Sequence, residues 1–273
     1  MNLELEGRRA LVTGSHRGTG EIIARRLAAE GARVIVHGFE PGQAETVAHT
    51  IDGARAVTGN LMDDAGAESV WQEARCRTGR RWMLANDYGR AGRRQLHHLL
   101  ERGAGRGMYE ENVLSAARLI RLALPALRAA GHGRIINLGT IGSTRPAARN
   151  PHYYAAKGAL ATLPPPPLAQ EVAGAGITVS PVSPGIIHTP EVEQWLTERG
   201  RQKGWGETWA EIEARAVAEN FPNPLGRLAR REEVADLVCF LAGERAGLVR
   251  GQNIRIDGGC EPIVRRLIRG QLA

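Results

Sequence analysis

Arg9–Thr13 is a short apolar run of strand length that opens directly into Gly14-Ser15-His16-Arg17-Gly18-Thr19-Gly20. An amphipathic segment follows: Ile22, Ile23 and Leu27 share one face of a helix predicted over 21–30, and a second strand-like run lies at 33–37. Strand, glycine turn, helix and strand in this order make a βαβ unit, which needs a parallel sheet with helices on its faces. Glycines let the backbone turn tightly and approach a phosphate, while the first turn of the helix offers unpaired N–H groups and a positive dipole end. With a strand on either side of its helix, the turn reads as a dinucleotide site rather than an ordinary strand-to-helix connection.

Further strands are predicted at 134–138, 177–182 and 252–256, and helices at 110–130 and 232–241. The expected architecture is α/β: a Rossmann-like doubly wound parallel sheet in a three-layer sandwich. A chain of 273 residues can bury one substantial core, so a single domain over 1–273 is expected, without repeats or linkers. No apolar run is long enough to span a bilayer and the first residues lack the pattern of a secretory signal, so a cytoplasmic protein without membrane contact is expected. Cys76, Cys239 and Cys260 are widely spaced and read as reduced thiols, with no metal site. The net charge of +7 is almost entirely arginine, lysine occurring only at 157 and 203. With few aromatic residues to stack on bases, the arginines at 75–106 read as a solvated face and not as a nucleic-acid surface.

A second motif lies far downstream, where Tyr153 and Lys157 stand four residues apart in HYYAAK. On a helix that spacing puts both side chains on one face, an arrangement Tyr154 does not share. A free tyrosine has a pKa of about 10, and lowering it by three units takes about 4 kcal/mol. A nearby ammonium and an oxidised nicotinamide supply attraction of that order in a partly desolvated site. Tyr153 is then expected to exchange a proton with a carbonyl or alcohol. Asn150 as N-cap and Pro151 in the first turn give that helix a sensible start.

The order and separation of these two motifs resemble the short-chain dehydrogenase/reductase family, in particular its 3-oxoacyl-ACP reductase-like members, over about residues 7 to 260. The resemblance implies that Thr140 occupies the place of the usual serine that binds the substrate oxygen, and that Asn112 is the asparagine that kinks its helix and holds a water on the proton path. It also implies that Lys157 binds the nicotinamide ribose and lowers the pKa of Tyr153. Cofactor contacts carry over to Gly14, Ser15, His16, Arg17, Gly18, Thr19 and Gly20, to Asn60 and Leu61 after the third strand, and to Asn86 and Gly89 after the fourth. Pro184, Gly185, Ile187 and Thr189 match the turn that holds the nicotinamide amide. No acidic residue stands directly after the second strand to bind a 2′-hydroxyl, whereas Arg17 resembles the basic residue that members preferring NADP use, with His37 placed to assist. NADP(H) is therefore expected over NAD(H).

Several stretches depart from the family pattern. Asn86-Asp87-Tyr88-Gly89 replaces the usual Asn-Asn-Ala-Gly, putting a tyrosine where it could crowd the adenosine ribose. Residues 90–107 lack an amphipathic pattern, and Pro164, Pro165, Pro166 and Pro167 should end the Tyr153 helix near Leu163. The family expectation of a homodimer or homotetramer is weakened there, because the later half of that helix would meet the partner subunit. The extra length at 190–224 holds Trp195, Trp205 and Trp209 and is expected to form a helical lid over an apolar pocket. The expected activity is hydride transfer between NADP(H) and a ketone or secondary alcohol. The alternative is a catalytically weak member that binds a nucleotide or a partner.

Overall fold

The structure, a computed structural model, describes residues 2–75, 81–91, 103–147, 150–162 and 172–260. The prolines at 164–167, most of 90–107, Cys76 and the residues after 260 lie outside them. Seven parallel strands form the central sheet: β1 (Arg9–Thr13), β2 (Arg33–Gly38), β3 (Arg55–Thr58), β4 (Trp82–Asn86), β5 (Gly133–Leu138), β6 (Ile177–Pro184) and, after a two-stranded ladder of β7 (Ile187–His188) with β8 (Ala229–Arg230), β9 (Ile254–Ile256). Their order, β3-β2-β1-β4-β5-β6-β9, reverses direction between β1 and β4, so a crevice opens at the carboxyl ends of those two strands. The β1–β4 register pairs Thr13 with Asn86 and places both motif-bearing turns at that edge.

The strands are apolar on both faces because helices cover both. On one side α1 (Gly18–Ala29) buries Ile23, Ala24 and Leu27 against Val234, Val238 and Leu241 of the helix Arg231–Ala242. On the other, α3 (Asp64–Arg75) and α5 (Ser115–Ala130) bury Val70, Trp71, Leu119, Ala123 and Leu127 over Leu11, Leu84 and Ile135. A short α2 (Gln43–Ala48) joins β2 to β3, and α4 (Ala104–Tyr109) runs through a π-helical turn, Glu110–Leu114, into α5. After β5 come a 3₁₀ turn at Ile141–Ser143 and α6 (Pro151–Thr162). The helices α7 (Pro190–Lys203) and α8 (Trp209–Asn220) precede β8, which makes Arg231–Ala242 α9.

The predicted strands and helices are all present with small shifts of boundary; α6 is described as far as Thr162, and its expected end near Leu163 lies outside the described residues. The exception is 110–130, a π turn followed by an α-helix rather than one regular helix. At the opposite end of the strands from the crevice, Arg8 and Arg134 are buried and share Glu244, at 2.6 and 3.1 Å, with His132 beside them. That cluster satisfies buried charge far from the glycine turn and concerns the fold, not the chemistry.

Candidate active site

At the carboxyl edge of the sheet, α6 presents Tyr153 and Lys157 from one face, with Lys157 Nζ 5.8 Å from the centre of the Tyr153 ring. Lys157 is buried and donates to the Leu138 carbonyl at 2.7 Å, which fixes the ammonium beneath the end of β5. Burial draws its pKa down to about 8, opposed by Asp87 and then Glu111, so the charged form still predominates at neutral pH. For Tyr153 the balance is upward: burial, then the Asp87 carboxylate, then Tyr154 all disfavour the phenolate. Lys157 is not among the groups that act on the phenol here, so the expected lowering is left to the experiment proposed below.

Thr140 stands two residues beyond β5, where its Oγ1 accepts from the Gly142 N–H at 3.2 Å and caps the 3₁₀ turn. The hydroxyl keeps its own proton to donate. Gly142 has to be glycine, since any Cβ there would overlap the Tyr154 ring. Asn112 sits in the π turn, the kind of helical irregularity that recurs at functional sites. Its Nδ2 donates to the carbonyls of Met108 and Arg90, at 3.1 and 3.3 Å, while its Oδ1 is buried with no hydrogen-bond partner among the described residues. Gly89, at φ 142°, packs directly on Asn112 and leaves no room for a Cβ. The fold thus brings Asn112, Thr140, Tyr153 and Lys157 to one edge of the sheet from three separate elements.

The glycine turn is held from below. Gly14, at φ 67°, donates its N–H to His37 Nδ1 at 3.1 Å, and the other ring nitrogen donates to the Gly59 carbonyl at 3.0 Å. Accepting at one nitrogen and donating at the other fixes His37 as the neutral Nε2–H tautomer. Burial pushes its pKa down to about 4. His37 is fully buried with both nitrogens used, which corrects its expected part in holding a 2′-phosphate: it supports the turn instead. Ser15 is likewise buried, donating to the Val12 carbonyl at 2.6 Å and accepting from the His37 N–H at 3.0 Å. His16 is half-buried, and burial and then Arg17 draw its pKa below the ordinary value.

Gly18 and Thr19 open α1, and Gly18, at φ 65°, has open space where a Cβ would point. Gly20 is the reverse: a Cβ there would come to 2.9 Å from the Asp87 carboxyl and from the Gly14 carbonyl. An open side at Gly18, close packing at Gly14 and Gly20, and free N–H groups at the start of α1 fit a pyrophosphate. Arg17 extends from this turn with its side chain 69% exposed, 4.0 Å from Glu191.

Other expected cofactor residues are placed less simply. Asn60 is engaged in its own turn, its Nδ2 donating to Asp63 at 2.8 Å and its Oδ1 accepting from the Met62 N–H at 2.9 Å. The Leu61 side chain is in the core, which leaves only its backbone for a ligand. Asn86 is buried and donates to Asn137 Oδ1 at 2.8 Å across β4 and β5, a bridge between strands rather than a group facing the crevice. Tyr88 is half-buried, edge-on to the His37 ring at 5.7 Å, with its N–H donating to Thr13 Oγ1 at 3.0 Å. Pro184 ends β6, Gly185 donates to the Ile256 carbonyl at 3.0 Å, and Ile187 is half-buried in β7. Thr189 caps α7 by accepting from the Val192 N–H at 3.3 Å.

Two features of the site were missed in the sequence. Asp87, noted only as part of an altered turn, has its carboxyl against the start of α1, 2.9 Å from where a Cβ on Gly20 would stand, and in the field of Lys157. The second is the anchorage of α7 and α8, which form a small core of their own around Leu196, Trp205, Ile212, Ala216, Val217 and Leu228. Buried Glu213 accepts from the Leu228 N–H at 3.1 Å and from both terminal nitrogens of Arg230 at 2.8 and 3.0 Å. His188 stacks on Trp209 at 4.7 Å and joins Arg230 to Glu193. Trp209, Ile212 and Ala216 stand at helical spacing in the sequence, which signals part of this arrangement.

Among the described residues no helix is long and apolar enough to cross a membrane, and no group of three or more His, Cys, Asp or Glu could hold a metal ion.

Comparison with known proteins agrees with this geometry. The family model described as Enoyl-(Acyl carrier protein) reductase matches residues 14–261. The 3-oxoacyl-[acyl-carrier-protein] reductase FabG of Escherichia coli is 33% identical over 258 residues, covering 94% of this chain and 98% of the relative. Among solved structures, L-sorbose reductase from Gluconobacter frateurii, complexed with NADPH and L-sorbose, superimposes with a TM-score of 0.87 at 28% identity, covering 97% of this chain and 100% of that one. A 3-oxoacyl (acyl-carrier-protein) reductase from Agrobacterium tumefaciens with NADP bound gives 0.80 at 29% identity, covering 93% and 95%. With its glycine turn, its Tyr153–Lys157 pair and these end-to-end matches, the chain belongs to the short-chain dehydrogenase/reductase family of NAD(P)-dependent oxidoreductases.

Proposed function

We propose that this protein reduces a ketone to a secondary alcohol with NADPH, or runs the reverse reaction, using Tyr153 as the general acid and base. The observation that carries this reading is the buried Lys157, fixed on the Leu138 carbonyl with its ammonium beside the Tyr153 ring. When bound, the nicotinamide supplies or accepts the hydride. Thr140 donates to the substrate oxygen and orients it, and Tyr153 then gives its phenolic proton to that oxygen as negative charge develops there. Lys157 stabilises the phenolate left behind and binds the cofactor ribose, while Asn112 supports the path by which the proton is replaced. The segment 190–224 covers the substrate, with Glu213 and Arg230 holding its base.

Arg17 supports a preference for NADP(H), since its guanidinium is exposed at the mouth of the glycine turn and no carboxylate at the end of β2 would repel a 2′-phosphate. The relatives point the same way: the G. frateurii and A. tumefaciens structures hold NADPH and NADP. Their named substrates, a 3-oxoacyl carrier protein and a ketose, share a ketone within a polar molecule.

The test is consumption of NADPH and NADH with acetoacetyl thioester, L-sorbose and simple cyclic ketones, on the parent and Arg17→Ala. Losing a charge-assisted contact should weaken NADPH binding about 10- to 100-fold and leave NADH unaffected. Equal NADPH affinity in the two proteins would remove Arg17 from the site. A parent that binds NADPH yet reduces none of the panel would contradict the reductase reading for these ketones.

A further inference from the structure

Where the chain leaves the crevice it joins two cores. β6 ends at Pro184, beside the carboxyl end of β5, and the chain passes through Gly185 and Ile186 into β7. Ile186 packs on the separate core of α7 and α8, Ile187 packs on the core under α1 and α9, and His188 turns back to α7 and α8, the alternation of an extended chain. There His188 meets three elements at once. Its ring stacks on Trp209, the first residue of α8, at 4.7 Å with 15° between the planes. Its Nε2 lies 2.7 Å from Glu193 of α7, and its Nδ1 lies 2.9 Å from Nη1 of Arg230, its neighbour in the β7–β8 ladder. Arginine only donates, so Nδ1 accepts and Nε2 carries the proton given to Glu193. Arg230 is held in turn by Glu213 of α8 through both terminal nitrogens, at 2.8 and 3.0 Å. The start of α7 reaches back to the crevice, where Glu191 lies 4.0 Å from Arg17 of the glycine turn. A shift of β7 is therefore passed to α7 and α8 through one side chain with three directional contacts.

We propose, on the reading of NADP(H) as the cofactor and of 190–224 as the cover over the substrate, that His188 is a positioning residue coupling the two: cofactor bound along 184–189 tightens α7 and α8 through its ring. His188 itself touches neither reactant. Cofactor against Gly185–Thr189 fixes β7, the bonds to Glu193 and Arg230 orient the imidazole, and the imidazole fixes Trp209. Trp209 sets the position of α8 because the start of that helix is already capped internally by Thr208 and Glu211. Once α8 is held, less conformational freedom remains to be lost when a ketone enters, so the loaded enzyme binds the ketone more tightly than the free enzyme does. By linkage the ketone raises cofactor affinity by the same factor.

The test is amide hydrogen exchange of the parent, His188→Ala, Trp209→Leu and Trp209→Phe, each with and without saturating NADP+. Trp209→Leu removes the stacking partner and leaves the bonds to Glu193 and Arg230 in place, whereas Trp209→Phe keeps a ring for His188. In the parent, NADP+ should slow exchange over 209–220 at least about fivefold, besides protecting the glycine turn at 13–20. His188→Ala and Trp209→Leu should keep the protection at 13–20 and lose most of that at 209–220, while Trp209→Phe retains both. Because the two residues act through one contact, the double variant should lose no more than either single one. With a ketone that the parent reduces, His188→Ala should raise KM at least about fivefold and change kcat less than about twofold, the split expected when substrate binding alone is lost. Protection of 209–220 that is equal in the parent and His188→Ala, or missing from the parent while 13–20 is protected, would overturn the role of His188 and leave the cofactor reading standing. A fall in kcat at unmoved KM would overturn it too. Absence of protection by NADP+ at both segments of the parent would overturn the cofactor reading and the coupling together.

Discussion

Replacing Gly14 and Gly18 separately by alanine distinguishes two demands that the glycine turn makes. Both glycines have left-handed backbones, at φ 67° and 65°, so alanine costs about 1–2 kcal/mol at either position. At Gly18 nothing lies within 4 Å of the new Cβ, and the backbone cost is the whole effect on the free protein. At Gly14 the Cβ would meet Tyr88 Cα at 3.1 Å and the Asp87 carbonyl at 3.2 Å. Both are backbone atoms tied to Thr13 and cannot turn aside, which adds about 1–3 kcal/mol of overpacking. Gly14→Ala should therefore lose about 2–5 kcal/mol in urea unfolding and Gly18→Ala about 1–2 kcal/mol. For a chain of this size each kcal/mol lowers Tm by about 2–4 °C. Cofactor affinity should reverse the order of blame: the open side of Gly18 is where a pyrophosphate would lie, so Gly18→Ala should weaken NADPH by at least about tenfold, or 1.4 kcal/mol, despite its smaller effect on folding. Equal losses of stability, or a Gly18→Ala protein that binds NADPH as tightly as the parent, would refute this account of the turn.

Acid should destabilise the protein through His37. Its folded pKa of about 4 lies below the ordinary 6.5, so its stabilising effect is complete above pH 6.5 and is lost as pH falls toward 4, up to about 3 kcal/mol. Asp87 has the opposite sign: with a folded pKa of about 7 its native form binds an extra proton between about pH 4 and 7, so Asp87→Asn should steepen the loss of stability measured by urea unfolding across that window. A window equally shallow in the variant would contradict the burial of Asp87. Glu213→Ala leaves the Leu228 N–H and a partly buried Arg230 without their acceptor, and should cost about 2–3 kcal/mol. Raised KM for the carbonyl and faster hydrogen exchange through 190–228 should accompany it; unchanged exchange would show that Glu213 does not anchor this segment.

The glycine turn and the Tyr153–Lys157 pair were legible because each is a local pattern whose geometry follows from chain chemistry: positive φ and a helix start in one case, helical spacing in the other. The βαβ alternation gave the sheet for the same reason. Resemblance added the kink at Asn112, which a regular apolar pattern over 110–130 does not reveal. Contacts between segments distant in sequence could not be read. His37 closes the predicted second strand and looks free to meet a phosphate, yet Gly14 and Gly59 close over both its nitrogens. Asn86 looks available until Asn137 arrives beside it on the next strand. The charge of Asp87 matters only because folding buries it near α6, and the upward push on Tyr153 comes from that same burial. Glu213 and Arg230 could be counted in the sequence, but only the fold brings β7, α8 and β8 together around them.

The central claim is that Tyr153 is the proton donor held ready by Lys157. Single-turnover reduction of a ketone that the parent consumes, measured for the parent and Tyr153→Phe at saturating NADPH, tests it most directly. Removing one hydroxyl from the reacting face should slow the chemical step about 10²- to 10⁴-fold and leave NADPH affinity unchanged. A Tyr153→Phe protein that reduces the ketone at the parent's rate would contradict the account.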